Sequence, residues 1–299
     1  MIAAGSGSIW VFTHRSVYAY RIDPSTNRIV AKVDVHDTPC TLASAGDGLV
    51  WNSNCGPAES SIGVSFAINP RTDRVTRRIR GNYPAFGAGS LWVLNDSGSA
   101  VRRVDPQSGV VLASIPTGID EQPGGGTLEI GGVGHGSVWL ASDSAKSVTR
   151  ISTATNKVTD VITLTGAKTE DEAFPQAAEQ DIGYINGASV AFTPGRAWYA
   201  NPAGLFEIDA HTNRARRISL GMRPFTNWGD DTVVSGAGSV WLRTTNNTID
   251  RIDPANGKVQ GVYPAGMEGG GGDITVAFGS LWVDNAGSDS VWREPIRNG

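Results

Sequence analysis

The chain is poor in charge, in sulfur and in histidine, and it has no long apolar run. Asp, Glu, Lys and Arg make up 18% of its 299 residues, and 25 basic against 29 acidic side chains leave a formal net charge of -4. Without a basic excess there is no surface to neutralise a phosphate backbone, which excludes nucleic acid as a partner. No stretch approaches the roughly 18 apolar residues that a helical membrane span needs, so membrane insertion is excluded too. The opening Met1-Ile2-Ala3-Ala4-Gly5 enters strand-like sequence directly and lacks the charged and apolar regions of a secretory signal. Cysteine is limited to Cys40 and Cys55, which bracket a hairpin turn at Gly46-Asp47-Gly48 and stand equidistant from its centre. They are therefore expected as cross-strand neighbours. Bonded, they imply an oxidising compartment; reduced, they are two buried thiols. Localisation is read as secreted or extracytoplasmic on the first alternative and cytoplasmic on the second.

What the sequence has in quantity is glycine (38 residues) and tryptophan (nine). Seven tryptophans, Trp10, Trp51, Trp92, Trp139, Trp198, Trp241 and Trp282, recur at spacings of 41, 41, 47, 59, 43 and 41. Around most of them stands Gly-x-Gly-Ser-apolar-Trp, as in Gly87-Ala88-Gly89-Ser90-Leu91-Trp92, which is a tight hairpin turn feeding a strand. About ten residues after most anchors comes a second signature, Arg21-Ile22-Asp23-Pro24, Arg103-Val104-Asp105-Pro106 or Arg251-Ile252-Asp253-Pro254. Asp then Pro fits the first two positions of a type I turn. Each unit thus reads as four antiparallel strands, A to D, and a four-stranded unit at this period is a propeller blade. The expected fold is all-β, a single seven-bladed β-propeller over 1–299 with blades at about 2–38, 39–82, 83–120, 127–166, 184–222, 230–265 and 271–299. A lone blade cannot bury both faces, so the anchors are expected between neighbouring blades. The last unit stops without a strand D, so either blade 7 has three strands or the chain is trimmed from something longer.

Strand order puts the A-B and C-D turns on one side and the B-C and D-A connections on the other. The turns are short and uniform, and those carrying His135 and His211 read as solvated. Length varies only in the D-A connections, at 118–126, 165–186, 221–231 and 266–273. A rigid scaffold with one elaborated rim places recognition on that rim. It offers Glu121, Glu129, Asp230, Asp231, Glu268 and Asp273, the basic Arg223 and Arg243, the aromatic Phe225 and Trp228, and the histidines His14 and His36. Hard carboxylate oxygens from Asp231, Glu268 and Asp273 suit Mg²⁺ or Ca²⁺. His14, His36, Glu129 and Asp231 are the candidate acid-base groups, and Glu121, Arg223, Phe225, Trp228, Arg243, Asn54 and Asn285 the candidate ligand contacts. Asn54 and Asn285 belong to a polar ring three residues after each anchor, with Thr13, Asn95, Ser142, Asn201 and Thr244. Its simpler reading is a set of loop-initiating Asx and hydroxyl turns. The acidic run from Glu170 to Asp181 reads as a solvated lid.

The pairing of Gly-x-Leu-Trp-Val with Arg-Ile-Asp-Pro-x-Thr, over essentially the whole chain, resembles the streptogramin B (virginiamycin B) lyase superfamily and the related YVTN-type propellers of bacteria. The resemblance implies the seven-bladed fold. It also implies a Mg²⁺-assisted elimination that opens a cyclic depsipeptide, with a histidine from a D-A connection and a glutamate after the Trp motif of the last blade. Here that glutamate position is Asn285, and the connection before blade 7 carries Met267 and Glu268 without a histidine. Two functions follow as expectations. One is an enzyme acting on a small molecule or cyclic peptide by elimination or hydrolysis, with a divalent ion and a rim histidine as base. The other is a non-catalytic sensor that binds a small molecule or peptide. The lactonase-like hydrolase is a third, resting only on rim Asn and Glu. The chain is read as a monomer without an organic cofactor.

Overall fold

The computed structural model describes residues 1–40, 42–54, 63–119, 128–142, 146–167, 189–201, 204–220, 232–245, 247–266, 271–285 and 288–296. Strands follow one another as the repeat requires. The first blade holds β1 (Ile2–Gly5), β2 (Ser8–Phe12), β3 (Tyr18–Asp23) and β4 (Arg28–Asp34). The second holds β5 (Ser44–Gly46), β6 (Leu49–Ser53), β7 (Val64–Asn69) and β8 (Arg74–Arg80), and the third β9 (Asn82–Gly87), β10 (Ser90–Leu94), β11 (Ala100–Val104) and β12 (Val111–Pro116). Blade 4 is β13 (Leu128–Gly134), β14 (Ser137–Ser142), β15 (Ser147–Ser152) and β16 (Lys157–Thr163), and blade 5 is β17 (Val190–Thr193), β18 (Arg196–Asn201), β19 (Gly204–Asp209) and β20 (Ala215–Ile218). Blade 6 is β21 (Val233–Gly236), β22 (Ser239–Thr245), β23 (Thr248–Ile252) and β24 (Val259–Pro264); blade 7 has β25 (Ile274–Ala277), β26 (Ser280–Asn285) and β27 (Ser290–Pro295). Hydrogen bonding gives six four-stranded sheets and one three-stranded sheet in simple sequence order, the topology of a seven-bladed β-propeller. Two compact units divide the chain, one of residues 1–120 with 152–158, the other of 121–151 with 159–299.

Local sequence explains the sharp A-B turns. Ser6-Gly7, Asp47-Gly48, Ala88-Gly89, His135-Gly136, Ala237-Gly238 and Phe278-Gly279 all have positive φ at both positions, the backbone of a type I′ hairpin, whose twist matches that of the flanking strands. The C-D turns use a different device. Asp23, Asp105 and Asp209 accept hydrogen bonds from the backbone and hydroxyl groups just after them, among them Ser25 N at 2.8 Å, Ser108 N at 2.6 Å and Thr212 N at 2.8 Å. Those bonds hold all three carboxyls below the usual Asp range. Each turn ends on Asn27, Asp73, Gly109, Asn156, Asn213 or Gly257 with positive φ.

Within each unit the core lies between successive blades. Trp10 packs with Val50, Phe66 and Ile68 of blade 2, Trp51 with Leu91 and Val93, Trp139 with Tyr199, Phe206 and Ile208, Trp198 with Val240 and Leu242, and Trp241 with Ile274, Leu281 and Val283. All seven anchors are at most 2% exposed. Their indole N–H groups usually donate five residues back, as from Trp92 to the Gly87 carbonyl at 3.1 Å and Trp139 to the Gly134 carbonyl at 3.0 Å. Trp51 is the exception, its buried Nε1 having no hydrogen-bond partner.

The two signatures meet across each sheet. In five blades the serine two residues before Trp accepts from the arginine of strand C: Arg21 Nε to Ser8 Oγ at 3.0 Å, Arg103 to Ser90 at 2.8 Å, Arg150 to Ser137 at 3.3 Å, Arg251 to Ser239 at 2.8 Å and Arg293 to Ser280 at 2.9 Å. The same guanidinium lies over the anchor ring, at 4.7 Å from its centroid for Arg150 and Trp139. In three of the five it then reaches the C-D turn of the following blade. Arg21 donates to the Pro70 carbonyl at 2.7 Å and Asp73 at 2.9 Å; Arg103 to the Thr153 carbonyl at 3.2 Å and Asn156 at 3.3 Å; Arg150 to the Ala210 carbonyl at 2.8 Å and to Asn213. Sequence reading took the Arg-x-Asp-Pro motif for a turn alone and missed this inter-blade clamp. Blade 2 lacks both members, with Leu49 and Ala67 in their places, and blade 5 has Arg196 and Glu207. The turns that follow those two blades end on Gly109 and Gly257, which have no side chain to accept.

First strands also pack closely, β1 against β5 and β5 against β9 in one unit, β13 through β17 and β21 to β25 in the other. At Gly134 a methyl group would stand 2.6 Å from Phe192 Cγ. Gly134→Ala should therefore cost about 2 kcal/mol through forced overpacking. The check is a lower urea midpoint at unchanged slope; a shift worth under about 0.5 kcal/mol would mean that the interface has slack.

Candidate functional site

The polar ring after the anchors is largely an engine of loop closure. Asn54 is 6% exposed and its Oδ1 accepts from Val64 N at 2.8 Å, while Asn95 Oδ1 accepts from Ala100 N at 3.0 Å and its Nδ2 donates to Ser97 and Ser99. Thr13 Oγ1 accepts from Arg15 N at 3.2 Å. Thr244 bonds to Thr248 across the next loop. Asn285 is buried and pairs with Ser290. The side chains of Ser142 and Asn201 lie outside the described residues.

Near the hairpin of blade 2, Pro39 stands opposite Asn54, and Cys40 N donates to the Ser53 carbonyl at 2.8 Å. Cys40 is disulfide-bonded. The one other cysteine of the sequence, Cys55, falls outside the described residues.

Blades 6 and 7 carry a buried ionic group at the loop-bearing ends of their strands. Arg243, at 0% exposure, donates from Nη1 to the Asp284 carbonyl at 2.8 Å. Asp284 Oδ1 accepts from Asp273 N at 2.6 Å, and Asp284 N donates to the Asp273 carbonyl at 3.1 Å. Asp273 and Asp284 are themselves buried. Burial pulls the Arg243 pKa down while Asp284 and Asp273 push it back up; the guanidinium stays charged. Desolvating three charges is expensive and is sustained only where hydrogen bonds satisfy them. The chain approaches the group too closely for a side chain at Gly272, where a methyl would stand 2.3 Å from Asp284 Oδ1 and 2.9 Å from Arg243 Nη1. The group stands at the root of one long connection, Asp273 lying three residues after 267–270, while Thr232, directly after 221–231, is joined to Arg243 only through the backbone, Arg243 N donating to the Thr232 carbonyl as the strand pairing continues.

The other sequence-derived candidates scatter. His14 is exposed on the first B-C loop. His36 is exposed, has φ of 65°, and lies 3.1 Å from Asp34, the residue whose carboxylate also accepts its N–H. Both histidines belong to the first unit, whereas Glu129 (5% exposed), Arg243 and Asp273 belong to the second. Glu121, Arg223, Phe225, Trp228, Asp230, Asp231, Glu268 and the acidic run 170–181 lie outside the described residues. Among the described residues no three His, Cys, Asp or Glu side chains are grouped to hold a metal ion. His135, expected as merely solvated, is exposed but has its Nε2 3.0 Å from both the Thr193 and Arg196 carbonyls of blade 5. A cavity of about 510 Å³ sits at the turn-bearing end of blades 1 and 2, lined by Ser6, Arg21, Gly48, Pro70 and Arg71, away from the elaborated rim.

No helix among the described residues is long and apolar enough to cross a membrane. No protein-family model matches the sequence, and no curated protein matches it. Solved structures do. BamB from Moraxella catarrhalis is 11% identical, over 97% of this chain and 94% of that one, with a TM-score of 0.58. The hydrazine synthase of Kuenenia stuttgartiensis is 12% identical over 97% and 92%, with a TM-score of 0.66. The computationally designed Ika8 protein is 11% identical over 99% and 95%, with a TM-score of 0.62. At such identities the likeness carries the β-propeller fold and nothing of chemistry.

Proposed function

We propose that the chain is a recognition propeller that takes a small-molecule or peptide ligand on the loop-bearing ends of blades 4 to 7. One observation carries this reading: the buried Arg243, Asp273 and Asp284 group sits at the root of the 267–270 connection, on the strand whose backbone also pairs with Thr232 at the end of 221–231. A costly ionic group at the foot of long loops makes sense where the loops must be presented in one geometry, because a preorganised surface loses less entropy on binding. Binding is favoured over the lyase-like reaction of the resembling family. Among the described residues of the same unit the histidines, His135 and His211, stand on the turn-bearing ends, so no histidine of that unit accompanies these acids.

The test is to pan a displayed random-peptide library, and to screen small molecules by thermal shift, with and without Mg²⁺ or Ca²⁺. Binders are expected to slow hydrogen exchange at 221–231 and 267–270 and to bind Gly272→Ala at least tenfold more weakly. Binders that instead protect the turns at 23–27 or 69–73 would overturn the reading.

A further inference from the structure

Among the described residues the outer strands β4, β8, β12, β16, β20 and β24 pair on one side only, with strand C of their own blade. Such edges invite pairing with another chain, and charge is a common guard against it. Four of them carry that guard: β4 has Arg28, Lys32 and Asp34, β8 four arginines, β16 Lys157 and Asp160, and β20 Arg216 and Arg217. β24 holds no charge but directly follows Lys258. Around β12 the guard is missing altogether, since no residue from Pro106 to Ile119 is charged. What this edge shows instead is aliphatic: Val110, Val111 and Leu112 are 57%, 50% and 54% exposed. Leu112 is the extra residue of a β-bulge, because Arg103 opposes Ala113 while Val104 opposes Val111. The same bulge holds Thr76 in blade 2 and Gln260 in blade 6, and in blade 1 it holds Val30, with Arg28 and Lys32 close by. A leucine is therefore not what the bulge itself demands.

From this we infer that β12 is the contact through which two copies of the chain associate, edge to edge, as an antiparallel two-fold pair; the monomer expected from the sequence is then the dilute form. Symmetry selects the occupant. In a two-fold antiparallel pair a strand meets its own sequence reversed, so its charges are set against charges of the same sign. β8 would bring its arginines against the same arginines. The stretch 106–119 sets only uncharged residues against one another, whichever register the pair adopts. Its backbone is also available. Thr117 N points back into the blade, to the Ser99 carbonyl, so by alternation along the strand Ser114 turns its N–H and C=O outward. Pro116, which faces outward too, has no N–H and ends the ladder. The shared ladder is thus short and lies over 110–114. An interface smaller than the roughly 800 Å² per partner of a standard one makes the dimer weak.

The test is sedimentation velocity of the chain from micromolar to millimolar concentration, with hydrogen exchange read at both ends of that range. A monomer–dimer equilibrium is expected, with the amides of 110–114 protected only at high concentration. Leu112→Lys and Leu112→Glu should each weaken the dimer at least tenfold at unchanged melting temperature, because blades 2 and 6 already carry a polar residue at that place. An equimolar mixture of the two variants should recover the association, since opposite charges then meet across the pair. A chain that stays monomeric up to millimolar concentration overturns the proposal. So does a dimer indifferent to both substitutions, or a mixture of the variants that associates no better than either alone.

Discussion

Replacing Arg150 with alanine should lower stability by about 3 kcal/mol, because three kinds of contact go at once. The side chain is 8% exposed, lies over Trp139, and donates to Ser137, the Ala210 carbonyl and Asn213. Burial pulls its pKa down, with Asp160 opposing, so its desolvation is offset only by these partners. A lysine should recover less than half of the loss, since an ammonium cannot stack on the indole and fork to two acceptors together. Chemical denaturation of R150A, N213A and the double variant checks this. A coupling energy indistinguishable from zero would mean that Arg150 and Asn213 are merely adjacent.

Arg196→Ala should destabilise the protein by about 3 kcal/mol or more, since Glu207 would keep a buried charge with one partner fewer. Glu207, at 1% exposure, stands opposite Trp198 and forms ion pairs with both Arg196 and Arg216. Its blade departs from the usual arrangement, with a basic residue at the start of strand B in place of Ser and an acidic one on strand C in place of Arg. The triple variant R196S/E207R/R216A restores the Ser and Arg of the five regular blades and puts a small residue opposite the arginine, as Ala31 stands opposite Arg21. It should melt within a few degrees of the parent even though R196S or E207R alone is costly. If the triple variant is as unstable as the worse of these, the arrangement is tied to something else in blade 5.

The contrast between these predictions and the loop residues shows what a sequence discloses. Blade number, the buried tryptophans and both turn types were legible because each rests on a local demand repeated along the chain, such as two left-handed residues in Ala88-Gly89. The clamp was also written there, as Ser two before Trp and Arg in the next strand. It was missed because Arg21-Ile22-Asp23-Pro24 already had a sufficient explanation as a turn. The Arg243, Asp273 and Asp284 group was only partly legible. Arg243 and Asp273 were picked for their chemistry, but Asp284 sits inside a regular strand, and its link to Asp273 N depends on which neighbouring strand lies beside it. His14 and His36 were chosen by residue type, and nothing periodic tied either to an acidic neighbour. The long connections carry no repeat register, so Glu121, Arg223, Phe225, Trp228, Asp231 and Glu268 could be assigned to the elaborated rim but not to places within it.

The clamp also bears on how such a chain can be rebuilt. Its two halves lie in different repeats, the donor in Arg21, Arg103 or Arg150 and the acceptor in Asp73, Asn156 or Asn213. What must travel together in a duplication or an exchange is therefore a seam and not a blade. A module of one repeat separates them wherever it is cut, because donor and acceptor stand 52, 53 and 63 residues apart, so only an exchange of two adjacent repeats carries a seam whole. Where the donor is absent, at Ala67 and Glu207, the following turn has already lost its side-chain acceptor, at Gly109 and Gly257. Those two seams are where a graft of foreign repeats would sever no charged bond of the clamp.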